Sequence, residues 1–215
     1  MATCTEIITK FELQVSDVTE LSTSEELMVL NRVYNRVMDS RPWEILKTTT
    51  TGTVTTDATG SYITLPSDFS YFYENMNWTD NAISTEINQA PKCVWIIQNN
   101  NYIPYVIVNY ADRIQYRNRG QYCYLDIANS KLVFCSTPIT TSYAMDYIKV
   151  PAVLLAGSTP IIPTRYQDIL VYGMAVEDSI LQLSPKAKSY APENLNLYNN
   201  YLADMALWNS NLINN

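Results

Sequence analysis

At 215 residues the chain has room for one large domain or two small ones, and 47% hydrophobic against 16% charged residues excludes a disordered protein. The formal charge of −7 is spread along the chain, with basic against acidic residues standing 5 to 8 over 1–50, 6 to 8 over 51–150 and 3 to 5 over 151–215. No segment therefore has the cationic excess that counterion-release binding to nucleic acid needs, and the complete lack of His removes Ser-His-Asp and Cys-His catalysis, His–metal ligation and imidazole pH switching together.

Residues 1–20 mix polar and apolar positions without a period and are read as a short helix or an arm. They lack a basic segment followed by an apolar run, so no signal peptide is expected, and no apolar stretch approaches the ~20 residues of a spanning helix. The expectation is a chain made in the cytoplasm of its host, with no membrane partner. The first strong element runs from Ser22 to Arg41. Ser22 with Glu25, or Thr23 with Glu26, fits the capping-box spacing, in which side chains satisfy the first orphan amides. Leu27, Leu30, Tyr34, Val37 and Met38 then recur at helical spacing, while Arg32, Asn35, Arg36 and Asp39 lie mostly off that stripe. Pro42 stops the helix, because the residue before a proline is pushed out of the α region.

From Thr48 to Val150 the texture becomes β. Thr48–Thr56 is a Thr-rich strand, Asp57-Ala58-Thr59-Gly60 a turn, and Ser61–Leu65 a returning strand closed by Pro66. Val94–Gln98 and Tyr102–Val108 are strands joined by Asn99-Asn100-Asn101, since Asn tolerates the positive φ of tight hairpins. Pro104 cannot donate to a ladder, which places its strand at an edge or a bulge. Tyr122–Ile127 and Lys131–Cys135 form a second hairpin, and Tyr143–Val150 a further strand stopped by Pro151. Pro160 and Pro163 mark the return to helix. Thr164 caps a helix to about Leu183, with Ile169, Leu170, Val176, Ile180 and Leu181 inside. A last helix follows Pro192 with Leu195, Tyr198, Tyr201 or Leu202, Met205 and Trp208 as its stripe, and Asn209–Asn215 has no period.

An isolated first helix is marginal in water, so it is expected to pack on the two C-terminal helices. The fold class is then α+β: a helical bundle of residues 1–47 and 160–215, with an antiparallel sandwich or barrel of residues 48–159 inserted in it.

Chemistry-bearing clusters are sparse. Asp68 before Phe69, Tyr71, Phe72 and Tyr73 reads as a turn residue bonding local amides, since a catalytic carboxylate needs a partner. Arg113, Arg117 and Arg119 interleave with Tyr110, Tyr116, Tyr122 and Tyr124. That pattern can stack on single-stranded nucleic acid, but in an acidic chain it favours a solvated loop or inter-subunit pairing with carboxylates. Asp112, Asp126 and Asp146 sit in separate elements without metal-loop spacing, and no metal or cofactor is expected. Cys4, Cys93, Cys123 and Cys135 make no C-x-x-C pair. Cys123 and Cys135 flank a hairpin and could face each other, yet free thiols are expected. No P-loop, G-x-G-x-x-G or G-x-S-x-G occurs, and no enzyme is expected. Tyr, at 17 copies, suits surfaces that become buried against partners, though it also suits strands.

A capped helix, the exit Pro42-Trp43-Glu44-Ile45-Leu46, Thr strands, and Tyr62-Ile63-Thr64-Leu65-Pro66-Ser67-Asp68-Phe69 follow one another here. Tyr124-Leu125-Asp126-Ile127, Lys131-Leu132-Val133-Phe134, Tyr147–Pro151 and a final helical pair continue the order. This resembles the head-to-tail adaptor proteins of short-tailed bacteriophages over most of residues 22–210. The resemblance implies a structural virion protein at the head–tail junction. It would form a homo-oligomeric ring, usually twelve-fold, between the portal protein and the tail nozzle or tail tube, with DNA passing through the lumen without sequence-specific binding. Relatives often dock on the portal through a C-terminal extension; only Asn209–Asn215 follow Trp208 here, so the last helix or residues 1–20 are the other candidates. Residues proposed for subunit or partner contacts are Phe69, Tyr71, Tyr73, Tyr102, Arg113, Arg117, Arg119, Tyr122 and Trp208. The alternatives are another phage tail or baseplate ring protein, or a carbohydrate-binding β module using Trp78, Trp95 and exposed Tyr.

Overall fold

The computed structural model describes residues 1–15, 21–72, 93–138, 141–181 and 187–213. The chain divides into two compact units, one of Met1–Leu46 with Pro151–Asn215 and one of Lys47–Val150. The fold is mixed α+β, with four helices in the first unit and nine strands in the second among the described residues.

In the helical unit, α1 spans Cys4–Gln14, α2 Thr23–Asp39, α3 Asp168–Leu181 and α4 Ala187–Ile213. Helix α3 packs against α1, α2 and α4, so both ends of the chain build one unit. Residues 1–15 are helix rather than arm. Thr3 and Glu6 form a capping box, the Thr3 hydroxyl accepting from the Glu6 amide at 3.3 Å and the Glu6 carboxylate from the Thr3 amide at 2.7 Å. The same helix start is tied down by the Cys4 amide donating to the Ser158 carbonyl at 2.8 Å and the Ala2 amide to the Gln167 side chain at 2.9 Å.

The buried residues of α2 are Glu26, Val29, Leu30, Val33, Tyr34, Val37 and Met38; of the expected stripe Leu27 is only half-buried, and Val29 and Val33 are added to it. Its exit has a physical cause. Trp43 is fully buried, and its indole N–H donates at 2.8 Å to the Val37 carbonyl of the last turn, which also accepts from the Ser40 hydroxyl at 2.7 Å. Pro151–Pro160, whose first nine residues were expected with the β domain, lies with the helical unit: Asn31 clamps Leu154 by accepting its amide at 2.8 Å and donating to its carbonyl at 2.9 Å.

Strands of the second unit are β1 Lys47–Thr53, β2 Thr55–Asp57, β3 Gly60–Thr64, β4 Phe69–Phe72, β5 Cys93–Gln98, β6 Asn101–Val108, β7 Tyr122–Asp126, β8 Lys131–Phe134 and β9 Ser142–Lys149. They make one sheet in the order β1-β9-β5-β6-β7-β8-β3-β2, with β4 also on β9. All pairs are antiparallel except β6 with β7, which are parallel. The two ends of this path, β1 and β2, are separated in the chain by Val54 alone, so the sheet curls until its ends meet at that buried residue. One curled sheet thus stands where two facing sheets were one of the expectations. Inside the curl lie Val54, Ile63, Phe72, Val94, Ile96, Tyr105, Cys123, Leu132, Phe134, Tyr143, Met145 and Tyr147.

Asn99 and Asn100 carry φ of 50° and 63° in the β5–β6 turn, the left-handed pair that a two-residue hairpin requires. Pro104 pairs with Trp95 of β5, and β7 joins β6 only from Val106 onward, so proline sits where β6 has no second neighbour. Gly52 lies opposite Tyr143, whose ring and hydroxyl stand 3.0–3.1 Å from where a Cβ would be. A side chain there would displace the tyrosine.

Candidate interaction surfaces

The aromatic segment after Asp68 is β4, a strand that the sequence did not announce. Its register on β9 is irregular between Phe69 and Tyr71. Phe69 and Phe72 meet at 4.9 Å between ring centres, and Phe69 reaches Tyr147 at 5.7 Å. Phe69 is therefore half-buried on the core, whereas Tyr71 is 41% exposed. The Tyr147 hydroxyl donates to the Asp68 carboxylate at 2.8 Å, a contact across the sheet rather than the local amide bond expected of Asp68. Burial, then that hydrogen bond and the carboxylate charge, push the Tyr147 phenol up to about 12. Tyr102 is 60% exposed at the tip of the β5–β6 hairpin, with Trp95 edge-on at 6.4 Å. Tyr73 and Trp78 lie outside the described residues.

The loop between β6 and β7 is a tied platform. A 3-10 turn spans Tyr110–Asp112. Arg113 lies over the Tyr110 ring at 3.9 Å and donates from Nη1 to the Tyr110 carbonyl at 2.7 Å. Tyr110 packs edge-on against Tyr124 at 5.6 Å, and Tyr116 stacks at a tilt against the candidate Tyr122 at 4.6 Å. Arg119 stands 5.7 Å over the Tyr116 ring. The Asn118 amide donates to the Cys135 carbonyl at 2.9 Å and the Val106 amide to the Gln121 carbonyl at 2.8 Å, fastening the end of the loop that leads into β7 to the sheet.

Between this loop, the β2–β3 turn and the start of the segment after β8 is a cleft of about 420 Å³. Arg113, Ile114, Arg117, Asn118, Tyr124 and Cys135 line it on one side and Thr59, Gly60 and Ser61 on the other. Arg119 is not among its walls. The sequence showed the arginine spacing but could not show that a turn fifty residues earlier closes on it. Burial raises both the Tyr124 phenol and the Cys135 thiol, so these two groups keep their protons at physiological pH. Cys123 pairs in register with Phe134, not Cys135, which puts the two thiols on opposite faces, and neither is in a disulfide.

In the helical unit Trp208 of α4 is half-buried, 5.8 Å from Tyr166, and the Arg165 guanidinium covers both rings at 4.6 and 5.6 Å. Next to it Asn209 is buried. It accepts from the Glu44 amide at 2.7 Å and donates to the Pro42 carbonyl at 3.3 Å. The segment from Asn209 is thus helix through Ile213 and holds the exit of α2, although its sequence shows no period. Lys10 pairs with Asp168 at 2.8 Å on the surface of the same unit.

Asp126 accepts from the Asn129 amide at 3.3 Å and side chain at 2.9 Å, and Asp146 accepts from the Thr49 hydroxyl, so these carboxylates act separately. No group of three His, Cys, Asp or Glu residues able to hold a metal occurs among the described residues. Nor is any described helix long and apolar enough to cross a membrane.

A family model described as SU10 adaptor protein matches residues 2–211. No curated protein matches the chain.

Proposed function

Because this chain belongs to the SU10 adaptor protein family, we propose that it is a structural bacteriophage protein of the head–tail junction, one subunit of a ring between portal and tail with a lumen for DNA. The family match over residues 2–211 carries this reading, since it covers both units. The ring is twelve-fold, as in the adaptors that the sequence resembles.

A closed ring needs two different surfaces on each subunit. The helical unit supplies rigid faces for its neighbours. It exposes Leu13 at 75%, Met28 at 66%, Val153 at 72% and Leu155 at 66%, apolar surface that gains by burial in an assembly. The β unit meets a second ring through the loops around Tyr71, Tyr102 and Arg113–Tyr122. Docking on the portal falls to α4 around Trp208. An evenly acidic chain suits a lumen, where repulsion keeps passing DNA from sticking.

Imaging of purified virions tests the proposal. Ring density at the portal–tail junction that accepts this chain is the expected result. The chain in a baseplate ring away from the portal, or its absence from virions, overturns it.

A further inference from the structure

We infer that the cleft between the Arg113–Asn118 loop and the β2–β3 turn is a receptor for an acidic segment of a neighbouring copy of this chain. The inference rests on the ring proposed above. Arg113 and Arg117 both line the cleft, and neither makes an ion pair among the described residues. Arg113 is already held by the ring and carbonyl of Tyr110, so little rotamer freedom remains to be lost on binding. A guanidinium presents parallel N–H groups that match a carboxylate, which gives geometry as well as charge.

The carboxylate of the β2–β3 turn does not fill this role. Asp57 accepts from the Thr59 amide at 2.7 Å and its hydroxyl at 2.6 Å, and so is spent in its own turn. Thr59, Gly60 and Ser61 form the opposite wall. The volume of about 420 Å³ falls in the ~300–1,000 Å³ range of specific ligand sites, enough for side chains but not for a duplex.

Two observations favour a protein over nucleic acid. Binding a phosphate backbone takes a track of cations, and here two arginines share one concave site in a chain of −7. At the rim Ile114 is 73% exposed, and arginine beside tyrosine and an exposed aliphatic is the composition of protein interface cores. Charge complementarity then selects the partner. With 21 acidic against 14 basic residues, and acidic residues in excess over 1–50, over 51–150 and over 151–215, a second copy has carboxylates to offer from every part of the chain.

The test places a photo-crosslinking amino acid at Ile114 of the full-length chain, incorporated into virions by complementation. Illumination is expected to give an adduct of twice the chain mass, joined through a segment containing Asp or Glu. R113Q combined with R117Q should lower its yield about tenfold, whereas R119Q, which removes an arginine of the same loop that lies outside the cleft, should not. Thermal melting of each purified variant establishes that the β unit still folds. An adduct to another virion protein, an adduct to DNA, no adduct, or an equal loss from R119Q each overturn the assignment. A ring seen by imaging together with any of these sinks the cleft alone, while the functional reading stands or falls on the imaging.

Discussion

Glu177 is fully buried in α3, and its two carboxylate oxygens lie 2.8 Å from Arg32 Nε and Arg36 Nη2 of α2. Neither approach has hydrogen-bond alignment, so the attraction is mainly of charge. The arginines are about half exposed, with side chains 58% and 47% accessible, and keep contact with water; the carboxylate has none. That asymmetry orders the mutants. R32Q with R36Q leaves a buried anion without compensation and should cost up to about 3–5 kcal/mol, whereas E177Q removes the anion and lets the arginines hydrate, costing about 1–2 kcal/mol. Urea unfolding of the three proteins checks it, and an E177Q chain weaker than the double variant contradicts it. The i, i+4 arginines were visible in the sequence as a polar flank of α2. Their partner was not, because a Glu inside the apolar run of α3 carries no mark of where it points. A second position makes the same point. A methyl group at Gly173 would stand 2.4 Å from Val33 Cγ1 and 3.1 Å from the Tyr198 ring. G173A gains about 1 kcal/mol of helix propensity but overpacks a stiff β-branched neighbour at about 1–3 kcal/mol, so a lower melting temperature is expected. An unchanged or higher one would mean that Val33 can move aside.

Elements with local signals were legible and elements defined by long-range pairing were not. Caps, prolines and period located α2, the two hairpins and β9 to within a few residues of their ends. The Thr run was read as one strand, yet it serves both ends of the sheet, because a sequence with no apolar alternation does not say which neighbour each half will choose. Strand β4 is four residues with an irregular register, too short for alternation to show. In α3 the expected core positions Ile180 and Leu181 are 63% and 42% exposed, so helical spacing overran the packed length. Helix α4 begins at Ala187, and Pro192 lies inside it rather than at its first position. An interior proline removes one backbone hydrogen bond and crowds the carbonyl four residues earlier, and Pro192 is exposed, so no packing is lost when it is replaced. P192A should therefore raise stability by about 1–3 kcal/mol and increase helical circular dichroism. A destabilised P192A would show that the proline shapes the start of α4 in a way the rest of the unit needs.

The whole molecule has no histidine and many buried phenols, which sets how it responds to pH. Burial raises Tyr34, Tyr172 and Tyr198 in the helical unit and Tyr105, Tyr124, Tyr143 and Tyr147 in the β unit; Tyr147 reaches about 12. A phenol whose folded pKa lies above its unfolded value keeps its proton in the native state when the unfolded chain has lost it. Its contribution is whole below the unfolded pKa, near 10, and disappears as pH rises through the folded one. For Tyr147 the interval from 10 to about 12 corresponds to about 2–3 kcal/mol. On the acid side the signs reverse. Hydrogen bonds from Ser22 and Thr59 lower Glu25 and Asp57, whose contributions are present above the ordinary carboxylate pKa and lost as pH falls through the lowered ones. With no imidazole between these limits, stability should be flat from about pH 5 to about pH 9 and fall steeply above pH 10. Y147F should be less stable than the parent at neutral pH by about 1 kcal/mol, for the bond lost to Asp68, yet decline less on the alkaline side. Denaturant unfolding across pH, read beside phenolate absorbance, separates the two effects. A Y147F curve parallel to the parent above pH 10 would show that this phenol does not govern the alkaline limit and would pass that role to the other buried tyrosines.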